Sequence, residues 1–293
     1  MPPSHLPDVQ NFRAPHNFTL TRVGVTGVAK PITVARPGRA ARTLLGTFDV
    51  AVDLPAEQRG THMSRNVEAI NATIDAFARE TTAGLEELAS RLAATLLERH
   101  AYATRAEVRV EADYFRERRT PLGAPSLEVY HLVAGADAER GGAARRSIGV
   151  EVLGMTACPC AMEGTRHLLE ERGVRVPEMP TVTHNQRNRV SLVLDFTTGA
   201  VEADDLVDIC EQSLSAPTFE YLKRGDEATL VLQAHAHPRF VEDVVREVLA
   251  RVVKAYGQLP ADTLVVARSE AEESIHKHNA YAERVTTLEE LRS

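Results

Sequence analysis

Apolar residues in this chain change their spacing from two to about 3.6 and back again, and few architectures accept that order. Leu20 to Val34 and Thr43 to Leu54 are rich in Val and Thr and read as strands, the first with a glycine-marked turn. Val67, Ile70, Ile74 and Phe77 then recur at helical spacing, and Leu85, Leu88, Leu92 and Leu96 continue it after Gly84. Val108, Val110, Ala112 and Tyr114 alternate, as do Leu127, Val129, His131 and Val133. The order is strand, strand, helix, helix, strand, strand. After Gly135 to Arg146, a break rich in Gly, Ala and charge, a similar order returns. Ser147 to Thr156 and Val190 to Phe196 read as strands, and Leu206 to Leu214 as a short helix. Val241, Val244, Val245, Val248, Leu249, Val252 and Val253 mark an amphipathic helix. Thr263 to Ala267 and Tyr281 to Val285 read as strands. The expected class is α+β. The expected division is an arm over 1–16 and two stretches, 17–140 and 141–293, read either as equivalent modules or as the alternation ordinary in α+β proteins.

Composition excludes several classes. At 293 residues and 43% hydrophobic content the chain can bury a core. No apolar stretch nears the roughly 20 residues of a spanning helix. Met1 to Thr19 carries no apolar signal core, so a cytoplasmic protein without membrane association is expected. A formal charge of -7 argues against nucleic-acid binding, while leaving room for a local cationic seat for a small anion. Three cysteines, two of them one residue apart, make a poor disulfide framework.

The chemistry gathers in a few segments. Cys158-Pro159-Cys160 offers thiols and His184-Asn185-Gln186-Arg187 an imidazole, donors suited to a transition metal. The bland alternative is a turn with two buried thiols. Cys210 falls in a helical pattern with Leu206 and Leu214 and reads as core, which favours an open site over a closed four-ligand one. Arg187 and Arg189 suit bidentate contact with phosphate. Glu220, Lys223, Arg224, Asp226 and Glu227 form either a solvated loop or a carboxylate ligand beside cations. Glu242, opening the valine-rich helix, either serves the helix dipole or accepts two hydrogen bonds from a guanine edge. Glu273, His276 and His278 offer proton transfer or support of a metal ligand. His235 and His237 share that spacing in less polar company. Gly60 to Arg65 precedes a helix and reads as an N-cap or an anion seat including Arg65. No Walker A pattern or dinucleotide fingerprint is present.

In order along the chain, these segments resemble the type IB GTP cyclohydrolases. The resemblance runs from Thr21-Arg22-Val23-Gly24-Val25 through Val52 to Pro55, Gly60 to Arg65, Thr156 to Cys160 and His184 to Arg187. It continues through Leu222-Lys223-Arg224, Phe240 to Asp243 and Glu273 to Asn279. It implies a tunnelling fold, two ββααββ modules per subunit with antiparallel sheets, assembled as a homotetramer with active sites between subunits. It implies hydrolytic opening of the guanine imidazole ring of GTP with release of formate, for pterin biosynthesis. Cys158 and His184 become expected metal ligands, with Glu227, or alternatively Glu220, as the carboxylate ligand. The implied metal is Mn2+ or Fe2+, with Zn2+ as a further option. Glu242 becomes the purine anchor, and Glu273, His276 and His278, with Cys158, the catalytic group. Arg65, Arg187, Lys223 and Arg224 become phosphate contacts.

A long stretch between Cys160 and His184 makes the chain more similar to the archaeal methanopterin-pathway branch. The expected product is therefore 7,8-dihydroneopterin triphosphate or its cyclic phosphate. Two rivals carry different chemistry. One is a nitrile reductase of the same superfamily, with a cysteine nucleophile and NADPH. The other is a zinc-stabilised interaction module without turnover.

Overall fold

The computed structural model describes residues 7–34, 42–77, 84–176 and 180–293. Residues 1–6 of the expected arm, and 177–179 between Cys160 and His184, lie outside them. The chain forms two compact units, Met1–Ala112 with Val133–Ile148, and Asp113–Leu132 with Gly149–Ser293.

In the first unit, β1 (Leu20–Val34) pairs antiparallel with β2 (Arg42–Leu54). Helices α1 (Met63–Phe77) and α2 (Leu85–Arg99) follow, and β2 then pairs antiparallel with β3 (Arg105–Arg119). The leucine stripe of α2 is buried, as are Ile70 and Phe77 of α1 and Val50, Val52, Val108 and Val110 of the strands. The turn expected within Leu20 to Val34 is instead a bulge in an unbroken strand. The register shifts between Val25 and Val28, and Gly27 takes φ +70° while its N–H donates to Asp49 Oδ1 at 2.7 Å.

The break expected over Gly135 to Arg146 is also mostly strand. β4 (Pro125–Glu139) runs through Gly135, and five residues separate its end from the start of β5 (Arg145–Ala157). A Cβ on Gly135 would come within 2.9 Å of the Val108 carbonyl oxygen, so this glycine permits close approach of strands. The expected 140/141 division falls in the tight connection of this hairpin.

In the second unit β5 is followed by α3 (Pro159–Glu171), β6 (Asn185–Phe196), α4 (Ala203–Ser213) and the short β7 (Ala216–Pro217), which pairs with β5. Then come α5 (Arg224–Ala236), α6 (Val241–Tyr256), β8 (Leu264–Ala271), β9 (Ala280–Thr287) and α7 (Leu288–Arg292). Strands β6, β8 and β9 are neighbours in antiparallel pairing. The valine face of α6 is buried, and α6 packs on β8 and β9. Among the described residues no helix is long and apolar enough to cross a membrane.

Alternation on β4 does mark a strand, with a polar buried face. Leu127 and Val129 are exposed, while Ser126, Glu128 and Tyr130 are buried. Ser126 donates to Glu128, which also accepts from the Glu220 N–H at 3.1 Å, and α4 presents Asp204, Asp208 and Glu211 beside its buried Leu206, Val207 and Cys210. Tyr114 donates to Asp204 at 2.7 Å, Arg116 grips Asp208 through two contacts of 2.9 Å, and Arg118 bonds Asp208 and Glu211. Tyr130 donates to Glu211 at 2.5 Å. Burial raises the Glu211 carboxyl above its usual range, against the opposing pull of Tyr130 and Arg118.

A buried histidine braces the start of α1. His100 donates from Nε2 to Asn66 Oδ1 at 2.8 Å and accepts at Nδ1 from the Tyr102 hydroxyl at 3.0 Å. Burial, then the charges of Arg65, His62 and Arg99, hold its pKa down at about 4. The unfolded chain binds this proton near pH 6.5, so the stabilisation is complete above pH 6.5 and is lost as pH falls towards 4. Unfolding free energy is expected to drop by roughly 2 kcal/mol across that window through this group. Denaturant titrations of His100→Asn should show a lower value at pH 7 and a flatter acid limb. An identical acid limb in both proteins would contradict this assignment.

Candidate active site

Backbone hydrogen bonds at one end of the second unit's strands draw distant segments together. The Cys158 N–H donates to the His184 carbonyl at 3.1 Å, and the Arg239 N–H donates to the Ala157 carbonyl at 3.0 Å. Glu272 N–H donates to the Arg187 carbonyl at 2.9 Å, extending the β6–β8 ladder past Ala271. Cys158 is the N-cap of α3, Pro159 starts the helix, and the sulfur accepts from the Ala161 N–H at 3.4 Å. The Cys-Pro-Cys segment is therefore a helix start. It escaped prediction because only Met162 of α3 is buried, so the helix has no apolar stripe.

These junctions surround a cavity of about 180 Å³ lined by Cys158, Gln186, Arg239, Glu242, Ala271 and Glu273, among others. Glu242 comes from the first turn of α6, where N–H groups and the dipole favour a carboxylate. His184 Nδ1 lies 3.0 Å from Gln186 Oε1 and 3.7 Å from Glu273 Oε2. Glu273 Oε2 is buried and has no hydrogen-bond partner among the described residues. An unpartnered buried carboxylate oxygen beside a thiol and an imidazole has the donor chemistry of a transition-metal site. Among the described residues no group of three or more His, Cys, Asp or Glu side chains is arranged to hold an ion. Cys158, His184 and Glu273 are donor types that a metal accepts, without forming a complete set among the described residues.

A family model described as type I GTP cyclohydrolase folE2 matches residues 6–282. The chain belongs to this family. GTP cyclohydrolase MptA 2 of Methanocella arvoryzae is 43% identical, with 98% of each chain covered. GTP cyclohydrolase MptA of Methanothermobacter thermautotrophicus is 42% identical over 98% of this chain and 95% of its own. The uricase from Arthrobacter globiformis, solved by crystallography, is similar in fold with a TM-score of 0.56 at 11% identity, covering 91% of this chain and 93% of that one. The cyclohydrolase chain is thus α+β with antiparallel strand pairing and a tunnelling-fold neighbour.

The other expected site residues of this cyclohydrolase family member are not among the residues that line that cavity. Glu227 and Lys223 are exposed at the start of α5, beside the equally exposed Arg224. Glu220 and Arg187 line a second cavity of about 510 Å³ instead. Strand alternation explains the split of His-Asn-Gln-Arg: Gln186 points inward and Arg187 to the opposite face of β6. His276 and His278 are exposed in the bent connection between β8 and β9, with rings stacked at 5.2 Å. Arg65 belongs to the first unit and donates to the Arg99 carbonyl at 3.4 Å. Cys160 is exposed on α3, and Cys210 is buried in the core as expected. His235 and His237 bond carbonyls of Val231 and Gln233 at the end of α5. Arg239, a cavity wall, carried no sequence signal beyond its charge.

The stretch Phe219 to Glu227, read as either a solvated loop or a carboxylate ligand beside cations, is a short connection that enters α5 at Arg224 and is held by the buried Asp226 carboxylate. Asp226 accepts from the Leu122 N–H at 2.8 Å and the Lys223 N–H at 3.2 Å. These bonds, with the Thr120 hydroxyl, hold its carboxyl below the usual range. Asp226→Ala should speed amide hydrogen exchange over residues 219–224 roughly tenfold while β6 keeps its protection. Unchanged exchange there would show that other contacts fix the segment.

Proposed function

We propose that this chain hydrolyses the guanine imidazole ring of GTP, releasing formate and giving 7,8-dihydroneopterin triphosphate or its cyclic phosphate. The observation that carries the reading is the cavity in which Glu242 faces the same space as Cys158 and Glu273. A carboxylate at a helix N-terminus accepts both N1–H and the exocyclic amine of guanine, a pairing adenine cannot offer. The family match over residues 6–282 supports cyclohydrolysis over the nitrile reductase alternative.

Cys158 and His184 would hold a divalent ion, Mn2+ or Fe2+ with Zn2+ also acceptable, and Glu227 of a second copy would complete the set. Such an ion would supply Lewis-acid activation of water. Glu242 fixes the purine and so sets the position of C8. Glu273, His276 and His278 move the protons as the C8–N9 bond opens and a second water frees C8 as formate. Closure of the pterin ring returns one water, so one is consumed overall; where the product is the cyclic phosphate, a neighbouring hydroxyl attacks the α-phosphorus and pyrophosphate leaves. Arg65, Arg187, Lys223 and Arg224 hold the phosphates.

A homotetramer of subunits with two ββααββ modules fits this division of labour. The cavity is smaller than the roughly 300–1,000 Å³ of ordinary ligand pockets, so one chain encloses part of a site. Glu227 is exposed and lines neither cavity, and neighbouring α5 residues Val231 and Leu232 are exposed apolar surface.

Protein reconstituted with Mn2+ or Fe2+ is expected to release formate from GTP and form a fluorescent pterin, whose mass distinguishes triphosphate from cyclic phosphate. Cys158→Ala should lose both metal and turnover. Glu242→Gln should lower kcat/KM for GTP on the order of 100-fold while metal content stays the same. Absence of formate with Mn2+, Fe2+ and Zn2+ alike would refute the proposal.

A further inference from the structure

The polar run that precedes the apolar part of β6 has a use beyond substrate contact. Gln186 and Asn188 both point inward from β6, where an apolar residue would be ordinary, and both are buried. They belong to a closed hydrogen-bond set with Thr156 of β5 and Ser269 of β8, also buried. The Ser269 hydroxyl donates to Asn188 Oδ1 at 2.8 Å. That turns the Asn188 amide nitrogen towards Thr156 Oγ1, at 3.4 Å. The Gln186 amide nitrogen donates to the same hydroxyl at 3.2 Å. Gln186 Oε1 is left facing His184 Nδ1 at 3.0 Å.

The reversed Gln186 amide is disfavoured by a second neighbour. It would demand a bare lone pair on His184 Nδ1. That lone pair would face the buried, unpartnered Glu273 Oε2 at 3.7 Å, setting two electron-rich atoms against each other. With the proton on Nδ1, Gln186 Oε1 accepts a hydrogen bond at 3.0 Å and Glu273 Oε2, at 3.7 Å, faces the positive end of the N–H dipole. A neutral imidazole carries one N–H, so Nε2 then holds the free lone pair.

We infer that the buried set Ser269, Asn188, Thr156 and Gln186 fixes His184 as the Nδ1–H tautomer and reserves Nε2 for a metal ion, making Gln186 a positioning residue. The metal half of this statement rests on the proposed function; the tautomer half does not. A fixed tautomer and ring orientation removes a cost that binding would otherwise carry, and loss of such an outer partner typically weakens metal affinity about 10- to 100-fold.

The test has two readouts. In metal-free protein with 15N-labelled histidine, long-range 1H–15N spectra should show His184 as Nδ1–H in the wild type and as a tautomer mixture in Gln186→Leu. Co2+ titration, followed by thiolate-to-cobalt absorption, should give an affinity about 10- to 100-fold weaker in Gln186→Leu. Gln186→Glu, which keeps an acceptor at Nδ1, should restore it. An Nε2–H tautomer in the wild type, or unchanged Co2+ affinity in Gln186→Leu, overturns the inference. Co2+ binding that survives both Cys158→Ala and His184→Ala defeats the metal reading instead, and the tautomer spectra then decide the Gln186 assignment alone.

Discussion

The hydrogen bond from the Cys158 N–H to the His184 carbonyl is the junction on which the candidate site depends. It joins the end of β5 to the start of β6 across 26 positions of sequence. One residue earlier, the Ala157 carbonyl receives the Arg239 N–H and sets the entry to α6, which brings Glu242 to the cavity. One strand over, the Glu272 N–H on the Arg187 carbonyl brings Glu273 beside His184. Each chemical group thus arrives on backbone held by a ladder bond, which places it more firmly than a free loop would.

The sheet supports the site with polar contacts where apolar ones are usual. Behind His184 the inward faces of β5, β6 and β8 carry Thr156, Gln186, Asn188 and Ser269, all hydrogen-bonded. Between α4 and the strands β3 and β4, arginines and tyrosines meet three carboxylates. Such layers are costly when partly satisfied and specific when complete, because each donor must meet its own acceptor. They also fix directions of hydrogen bonding that an apolar core leaves free.

Legibility in the sequence followed the apolar signal. Strands and helices with strong periodicity, such as the valine face of α6 and the leucine face of α2, were readable from spacing alone. Helix α3, with Met162 as its one buried residue, and α5, anchored by Asp226, Leu230 and Ala234, had too thin a stripe to detect. Gly27 and Gly135 read as punctuation, yet one sits in a bulge and the other lets strands approach. For the site, Cys158, Glu242 and Glu273 were legible as chemistry and do line one cavity. Strand alternation divided Gln186 from Arg187, and nothing in the local sequence revealed Arg239 or the partners of Gln186. Those depend on which strands become neighbours, a long-range property that no short motif records.

Cys158 and His184 are proposed to share one ion, which X-ray absorption on the metal-loaded protein reads out. The spectrum should show one sulfur and imidazole nitrogen bound to the ion, the sulfur shell vanishing in Cys158→Ala and the imidazole scattering falling in His184→Ala. An oxygen-only shell, or a spectrum that neither substitution alters, would contradict it.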